Sequence, residues 1–286
     1  MIKKIAILLE MIKFKHTLLA MPFALIGAFL AQRGVPDAIV FVWVVLAMAG
    51  ARTCAMGFNR IVDLEFDKKN PRTANRALAT GAVKTGEAWA MVVISAILFF
   101  FACYSLNRLT LYLSPFVLGL TLFYSLTKRF TWLCHVVLGL ALAFSPLGGY
   151  AAVKGTLSGY PFVLSLGVLF WVAGFDMVYA CLDADFDRKI GLSSMPARFG
   201  RKNAFRLAVF FHMLAFGFFT ATGLTARLNF FFYIGIAFTG FALFYQHFMV
   251  TPKDLSRIQL SFFTLNGLIS LTLFVATWLS LVVQAV

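Results

Sequence analysis

The feature that most constrains this chain is a succession of apolar stretches, each about 20 residues long, the length a helix needs to cross a bilayer. The 286 residues are 61% hydrophobic and only 13% charged, whereas soluble domains are about 45–50% apolar and about 25% charged. The sequence therefore predicts an all-α integral membrane protein with nine transmembrane helices, at 17–35, 38–58, 86–106, 109–127, 131–152, 160–181, 204–224, 228–248 and 258–284.

The start of the chain resembles a signal peptide only superficially. Its first apolar run is broken by Glu10, Lys13 and Lys15, and no clear small-residue cleavage site follows. We therefore predict a short amphipathic helix at the membrane interface, followed by a first span that is retained.

The basic residues predict the orientation of the spans. Of the 25 Lys and Arg residues, 20 lie in or beside the N-terminal segment and the loops after the even-numbered spans, and four lie in the opposite loops. Cytoplasmic loops carry the excess of Lys and Arg, so we predict a multi-pass protein with a cytoplasmic N-terminus, in a bacterial inner membrane. This topology and attraction to anionic lipid account for most of the net charge of +14, and neither nucleic acid nor an obligate protein partner is indicated.

Cysteine and histidine do not form a metal-binding pattern. The four cysteines are scattered through apolar segments without a C-x-x-C pair, and the four histidines are isolated in sequence. Buried free thiols are therefore predicted, and a histidine-ligated metal is not.

Acidic residues are scarce but concentrated. Seven of the eleven lie in the stretches 57–81 and 174–200, namely Asp63, Glu65, Asp67, Asp176, Asp183, Asp185 and Asp187. The pair Asp183 and Asp187 repeats the spacing of Asp63 and Asp67, 120 residues later. The repeat predicts two pseudo-equivalent halves.

A spacing of four places two carboxylates on one helical face, where their repulsion beside hydrocarbon needs compensation. Asn59 extends the first row by one turn, and Asp176 and Tyr179 extend the second. Two facing rows would form an oxygen-lined site of the kind that Mg²⁺ favours, with substrate phosphates completing its shell. Glu65 and Asp185 lie off this face and are interpreted as solvated.

Basic side chains near these rows are candidates for binding diphosphate oxygens. They are Arg72, Arg76, Lys128, Arg129 and Lys189. Lys68 and Lys69 are better explained as anchors at the inner leaflet.

Two other functional classes also use intramembrane carboxylates. An ion-coupled transporter would have paired halves, but its site would lie near mid-bilayer, whereas these carboxylates follow the ends of spans. A CDP-alcohol phosphotransferase would carry a single D-G-x-x-A-R-type motif, which is missing from this sequence.

The two motifs resemble those of a known family. "NRIVDLEFD" (59–67) resembles the N-x-x-x-D-x-x-x-D motif of UbiA-type intramembrane aromatic prenyltransferases, and "DMVYACLDADFD" (176–187) resembles their D-x-x-Y-A-x-x-D-x-x-x-D motif. "RTANRALATG" and "FYSLTKRFT" are similar to further segments in the same order. Arg60 departs from the pattern, because many members carry a second Asp there.

The resemblance implies a single domain over 1–286, a nine-helix bundle around a central cavity that opens to lipid and is capped by the aspartate loops. It implies transfer of a prenyl group from polyprenyl diphosphate to an aromatic ring, with release of diphosphate. Residue by residue, it implies Mg²⁺-diphosphate binding by Asn59, Asp63, Asp67, Asp183 and Asp187, diphosphate contacts by Arg72, Lys128 and Lys189, a lining of Tyr124 and Tyr179, and Asp176 as the group that orders or deprotonates the acceptor phenol.

The sequence does not decide between two aromatic acids as the acceptor of the prenyl group. The pattern is closest to 4-hydroxybenzoate polyprenyltransferases of ubiquinone synthesis, and the alternative is a dihydroxynaphthoate of the futalosine branch of menaquinone synthesis. Either carboxylate needs a cation, for which Arg52 and Arg129 are the candidates.

Overall fold

This computed structural model describes residues 7–8, 10–12 and 17–284, with no side chains described at 17–20 and 262. The described residues form helices joined by irregular segments, and they contain no β-strand. The predicted interfacial helix before residue 17 lies largely outside these residues. The helices are α1 (Thr17–Gln32), α2 (Ala38–Val62), α3 (Leu64–Lys69), α4 (Thr85–Leu106), α5 (Arg108–Thr127), α6 (Cys134–Lys154), α7 (Tyr160–Ala180), α8 (Ala184–Ile190), α9 (Met195–Phe199), α10 (Arg201–Thr225), α11 (Phe230–Met249), a π-helical segment (Leu260–Leu265) and α12 (Asn266–Gln284).

The predicted membrane bundle is confirmed, with one qualification on the count. Within the described ranges, eight helical stretches are long and apolar enough to cross a bilayer, and Met21–Gln32 is a shorter apolar helix. Nine spans is therefore an approximate number. The second span runs four residues further than predicted, to Val62, and the last begins as the π-helical segment.

Helices α1 and α6 cross at close range because each presents glycine to the other. A Cβ atom at Gly27 would lie 2.0 Å from the carbonyl oxygen of Pro146, and one at Gly149 would lie 1.9 Å from that of Ala24. Small residues that let helix backbones approach are typical of packing inside membranes. This contact fixes the wall of the bundle on which α6 carries part of the functional site.

The core lies between α1, α7 and α10. Phe23 stacks on Phe219 with ring centroids 5.7 Å apart and lies 5.1 Å from the ring of Trp171. The Trp171 indole donates its N–H to Asn266 Oδ1 at 3.0 Å, so the polar edge of this buried ring is satisfied. The four cysteines are free and buried, as predicted.

The two halves are built alike around the aspartate motifs. Helix α2 ends in the first motif and packs extensively against α4, the long helix that follows the first aspartate loop. Helix α7 ends in the second motif and packs as extensively against α10, the long helix that follows the second. Below, "first aspartate loop" denotes residues 63–84 and "second aspartate loop" denotes residues 181–200.

Candidate active site

A large cavity runs through the bundle beneath the aspartate loops. Its volume is about 1380 Å³, and most of its wall is apolar, with Val44, Phe99, Val117, Leu142 and Phe175 among the lining residues. Polar groups line it as well, and these include Arg52, Arg60, Arg72, Arg76, Tyr124, Asp176 and Tyr179. An apolar chamber with a few polar groups is the usual form of a small-molecule site.

Each aspartate motif breaks its helix at the same place. Asp63 (φ −91°, ψ 2°) ends α2 and begins α3, and Asp183 (φ −103°, ψ 2°) precedes α8 in the same conformation. In both, the N–H four residues later donates to the carbonyl oxygen of this first aspartate at 2.8 Å. The continuous helix expected from the spacing is therefore kinked, yet the one-turn separation of each aspartate pair is kept.

Most partners of the carboxylates in the first aspartate loop lie nearby in sequence. Arg76 Nη1 lies 2.7 Å from both carboxylate oxygens of the buried Asp67. Asp63 accepts a hydrogen bond from Asn59 Nδ2 at 3.0 Å, and Arg129 Nη2 lies 3.7 Å from its Oδ1. Only the last of these partners comes from outside the motif and its loop.

The second aspartate loop is held by side chains from distant segments. Both oxygens of Asp183 accept from Arg72, which forms a bidentate pair with it, and Asn70 Nδ2 donates to Oδ1 at 2.9 Å. Lys128 Nζ lies 2.7 Å from Asp187 Oδ2. Arg72 and Asn70 belong to the first loop, so the structure joins the two motifs through arginine and amide side chains.

These partners lower the pKa of the loop carboxylates and burial raises it, and the balance differs from one carboxylate to the next. Burial alone would raise the pKa of Asp183, but the hydrogen bonds and charge of Arg72, with Asn70, hold that pKa below its ordinary value. Burial raises the pKa of Asp187 despite the opposing effect of Lys128. Burial, followed by the charge of Asp67, raises the pKa of Asp63.

The oxygen donors fit a magnesium ion by their chemistry. Carboxylate and amide oxygens are the ligands of hard cations, and Asn59, Asp63, Asp67, Asp183 and Asp187 provide such oxygens. Among the residues described, no group of three or more acidic, histidine or cysteine side chains forms a ready metal cage. The carboxylates instead pair with cations, which are the groups that a diphosphate would also attract.

The cavity wall includes a half-buried cation, Arg52, with an unsatisfied donor. Arg52 lines the cavity, and its Nε is one of three buried side-chain nitrogen or oxygen atoms without a hydrogen-bond partner in the described part of the chain. Arg129, the other candidate, donates to the carbonyl oxygen of Val62 and stacks over Phe66. The geometry favours Arg52 as the partner of an anionic group in the cavity.

A sequence profile of the UbiA prenyltransferase family matches residues 20–268. The chain belongs to this family. It is therefore a prenyltransferase, and the transporter and phosphotransferase interpretations are wrong.

Relatives of this prenyltransferase agree in sequence and in fold. A protein from Shewanella pealeana named 4-hydroxybenzoate octaprenyltransferase is 31% identical over 268 residues, which are 93% of this chain and 92% of that protein. The structure of a UbiA homolog from Aeropyrum pernix K1 is 32% identical, with a TM-score of 0.84 over 95% of this chain and 98% of that one. A UbiA homolog from Archaeoglobus fulgidus, solved bound to DMAPP and Mg²⁺, is 18% identical and shares the fold at a TM-score of 0.72 over 96% of this chain and 99% of that one.

The predicted site residues of the prenyltransferase are not all brought together. Arg72 contacts Tyr179, with its Nη1 3.3 Å from the phenol oxygen, and Tyr124 and Asp176 both line the cavity. Lys189, in contrast, is exposed on α8 outside the ion-pair cluster. The side chains of Glu65 and Asp185 are 72% and 75% exposed, as the solvated interpretation predicts.

Three polar residues of this site are absent from the sequence-based prediction. Asn70 contacts Asp183, Ser194 donates to Asp187 Oδ2 at 3.0 Å, and His135 Nδ1 lies 2.7 Å from Asp176 Oδ2. Asn70 and Ser194 lie within a few residues of the motifs, so proximity in sequence was a usable signal. His135 is 41 positions from Asp176, and the sequence alone gave no signal for it.

Arg60, the departure from the family pattern, serves a structural contact. Its Nε donates to the carbonyl oxygen of Met11 at 3.3 Å, and its Nη1 lies 3.4 Å from Asn59 Oδ1. The guanidinium therefore ties the segment before α1 to the start of the first motif.

Proposed function

We propose that this prenyltransferase transfers a polyprenyl group from polyprenyl diphosphate to the ring of an aromatic acid, 4-hydroxybenzoate foremost, and releases diphosphate. The observation that carries the proposal is the cavity itself. It joins a long apolar wall, the half-buried Arg52 with its buried and unsatisfied Nε, and the carboxylate of Asp176 beneath a cluster of basic and acidic side chains.

The apolar wall suits the prenyl chain and the chemistry at its end. Breaking an allylic C–O bond produces carbocation character, which water would quench, so a dry chamber protects the reaction. Aromatic faces such as Tyr124 and Tyr179 stabilise nearby positive charge. A volume of about 1380 Å³ also accommodates a multi-unit isoprenoid tail.

The loops suit the diphosphate. We infer that Asn59, Asp63, Asp67, Asp183 and Asp187 hold Mg²⁺, as the Archaeoglobus fulgidus homolog bound to DMAPP and Mg²⁺ supports at the level of the fold. The bound ion would neutralise charge on the leaving diphosphate. Arg72 and Lys128, now paired with Asp183 and Asp187, would donate to phosphate oxygens. Lys189, exposed on α8, would contact the diphosphate only from outside this cluster.

Arg52 suits the acceptor carboxylate. Its buried Nε has no acceptor in the described part of the chain, and a guanidinium binds a carboxylate strongly because charge-assisted hydrogen bonds are stronger than neutral ones. Asp176 lines the same cavity and is inferred to accept the proton that the phenol or its ring loses. The name of the Shewanella relative supports 4-hydroxybenzoate as the acid.

The test is an assay of purified protein in lipid nanodiscs with octaprenyl diphosphate, Mg²⁺ and one acid at a time. Prenylated 4-hydroxybenzoate and released diphosphate, both lost with EDTA, are expected. Product formed only from a dihydroxynaphthoate would move the enzyme to the menaquinone branch. Absence of product from both acids would refute the proposal.

The role of Arg52 has its own comparison. Wild-type enzyme should prefer 4-hydroxybenzoate to phenol, and Arg52→Leu should lower kcat/KM for the acid by about 10- to 100-fold, the cost of a lost hydrogen bond to a charged group. The matched variant Arg129→Leu should keep the preference. An unchanged preference in Arg52→Leu would place the carboxylate elsewhere.

A further inference from the structure

A histidine outside both motifs contacts the carboxylate proposed to receive the proton. His135, the second residue of α6, is only 3% exposed. Its Nδ1 lies 2.7 Å from Oδ2 of Asp176 on α7. Asp176 itself lines the cavity, so the contact joins a buried ring to the wall against which the aromatic acid is proposed to bind.

The other ring nitrogen of His135 determines which way the proton points. The backbone N–H of Met195 donates to Nε2 at 3.2 Å. A backbone N–H can only donate, so Nε2 must present its lone pair and the ring is neutral. The ring proton then sits on Nδ1 and is donated to Asp176, since the bond made by one ring nitrogen sets the state of the other.

We propose that His135 is a positioning residue for prenyl transfer. It holds the Asp176 carboxylate at the cavity wall, in the orientation in which the carboxylate accepts the proton displaced from the ring of the aromatic acid. This inference rests on the proposed function. In the step concerned, the allylic C–O bond breaks and its electron pair leaves with diphosphate. A C–C bond forms between the prenyl carbon and the ring, and the displaced ring proton passes to Asp176.

His135 also links the Asp176 carboxylate to the second aspartate loop. Met195 begins α9, and Ser194 before it donates to Asp187 Oδ2 at 3.0 Å while accepting from the Ala197 N–H at 3.3 Å. The second aspartate loop therefore presents the Met195 N–H to His135 while it also fixes Asp187. If the loop moved away, Nε2 would lose its donor and the ring could take the other tautomer. Orientation of Asp176 is thereby coupled to the packing of the loop.

A purely structural role for His135 makes a different prediction. A histidine that only ties α6 to the loop would lower stability and disturb both substrates, whatever residue stands at 176. A positioning role acts through Asp176, so its effect must vanish when that carboxylate is removed. Glutamine can donate from its amide nitrogen and accept at its oxygen, whereas leucine can do neither.

The experiment measures kcat and both KM values for five enzymes: wild type, His135→Leu, His135→Gln, Asp176→Asn and the double variant His135→Leu/Asp176→Asn. We expect His135→Leu to lower kcat by about 10- to 100-fold, the usual cost of removing the partner that orients a functional side chain. The KM for prenyl diphosphate should stay near the wild-type value. His135→Gln should recover much of kcat, and the double variant should be no slower than Asp176→Asn.

Two results would overturn the proposal: additive losses in the double variant, or a wild-type kcat in His135→Leu. The control for loss of a buried histidine is His212→Leu. His212 is 4% exposed, and its Nδ1 lies 2.8 Å from His247 Nε2, so its ring contacts another histidine and not Asp176. Thermal melting in detergent identifies any variant that is unfolded.

A measurement without substrate separates this proposal from the proposed function. In nuclear magnetic resonance of ¹⁵N-histidine-labelled enzyme, the signal that disappears in His135→Gln belongs to His135. We expect a neutral ring protonated at Nδ1, with a shift of that proton in Asp176→Asn. A ring protonated at Nε2 would overturn the positioning role, even if wild-type enzyme prenylates 4-hydroxybenzoate. Failure of turnover with every acid would refute the proposed function and leave this measurement valid.

Discussion

The two aspartate loops have the same backbone but different partners. Each contains an aspartate near φ −100°, ψ 2°, directly before a short helix. Asp67 of the first loop pairs with Arg76, nine residues away, whereas Asp183 of the second pairs with Arg72, 111 residues away. The sequence repeat therefore reproduces local geometry, whereas the side chains that donate to Asp183 across the loops, Asn70 and Arg72, lie outside the repeat.

The motifs also differ in the helical turns that precede Asp63 and Asp183, the aspartates at which the two long helices are interrupted. Asn59 stands four residues before Asp63, and the corresponding residue of the second motif is Tyr179. Seven residues before, Met56 corresponds to Asp176, and both line the cavity. Under the proposed function, both halves would contact the diphosphate, whereas only the second would present a carboxylate, that of Asp176, to the acceptor.

The largest effect is expected from variants that test whether both aspartate loops bind the Mg²⁺-diphosphate. Asp63→Ala and Asp187→Ala should each abolish turnover while membrane insertion stays intact, because each removes an oxygen donor proposed for Mg²⁺. Product formation in nanodiscs measures the first, and membrane yield after extraction measures the second. Wild-type rates in Asp63→Ala would make the first loop a structural partner only.

The second prediction tests the asymmetry between Met56 and Asp176. Asp176→Asn should lower kcat by about 10²- to 10⁴-fold, the usual contribution of a positioned acid or base, because the amide cannot take up a proton. Binding of prenyl diphosphate should be unaffected, since Asp176 contacts His135 and not the loop cations. An equal rise in both KM values with unchanged kcat would contradict the assignment.

The third prediction compares the arginine that joins the loops with the one that stays within a loop. Arg72→Leu should lower kcat/KM by about 10- to 100-fold, the cost of lost hydrogen bonds to a charged group. It should also raise hydrogen exchange in both loops, because Arg72 bridges to Asp183.

The matched variant is Arg76→Leu, which should raise hydrogen exchange in the first loop alone, because its partner Asp67 lies in that loop. Faster exchange of the second loop in this variant would show that the within-loop pair also supports the far motif. Mass spectrometry of peptic fragments resolves the two loops.

The bundle and the motifs were predictable because their signals are local. Runs of about 20 apolar residues give spans directly, and the repeated four-residue spacing of the aspartates marks the two motifs. Residue pairs across the bundle have no such signal. Nothing near His135 in sequence indicates Asp176, and only the packing of α6 against α7 brings them together.

The choice between Arg52 and Arg129 also depends on contacts that the sequence does not indicate. Both are arginines near the ends of predicted spans, so the sequence does not distinguish which of them binds the acceptor carboxylate. The fold gives Arg129 the carbonyl oxygen of Val62 as its acceptor and leaves the buried Nε of Arg52 without one. Burial and hydrogen bonding, which depend on long-range packing, make the distinction.

The smallest expected effect concerns the middle acid of each motif. Glu65 pairs with Lys68 at 2.9 Å, and Asp185 pairs with Arg201 at 2.8 Å, both on exposed surfaces. Exposed ion pairs contribute little, so Glu65→Gln and Asp185→Asn should keep kcat/KM within about a factor of two of wild type. The same nanodisc assay measures both. A large loss in Asp185→Asn alone would mean that the exposed face of the second loop contacts the diphosphate, and the difference between the loops would then include the metal end of the site as well as the acceptor end.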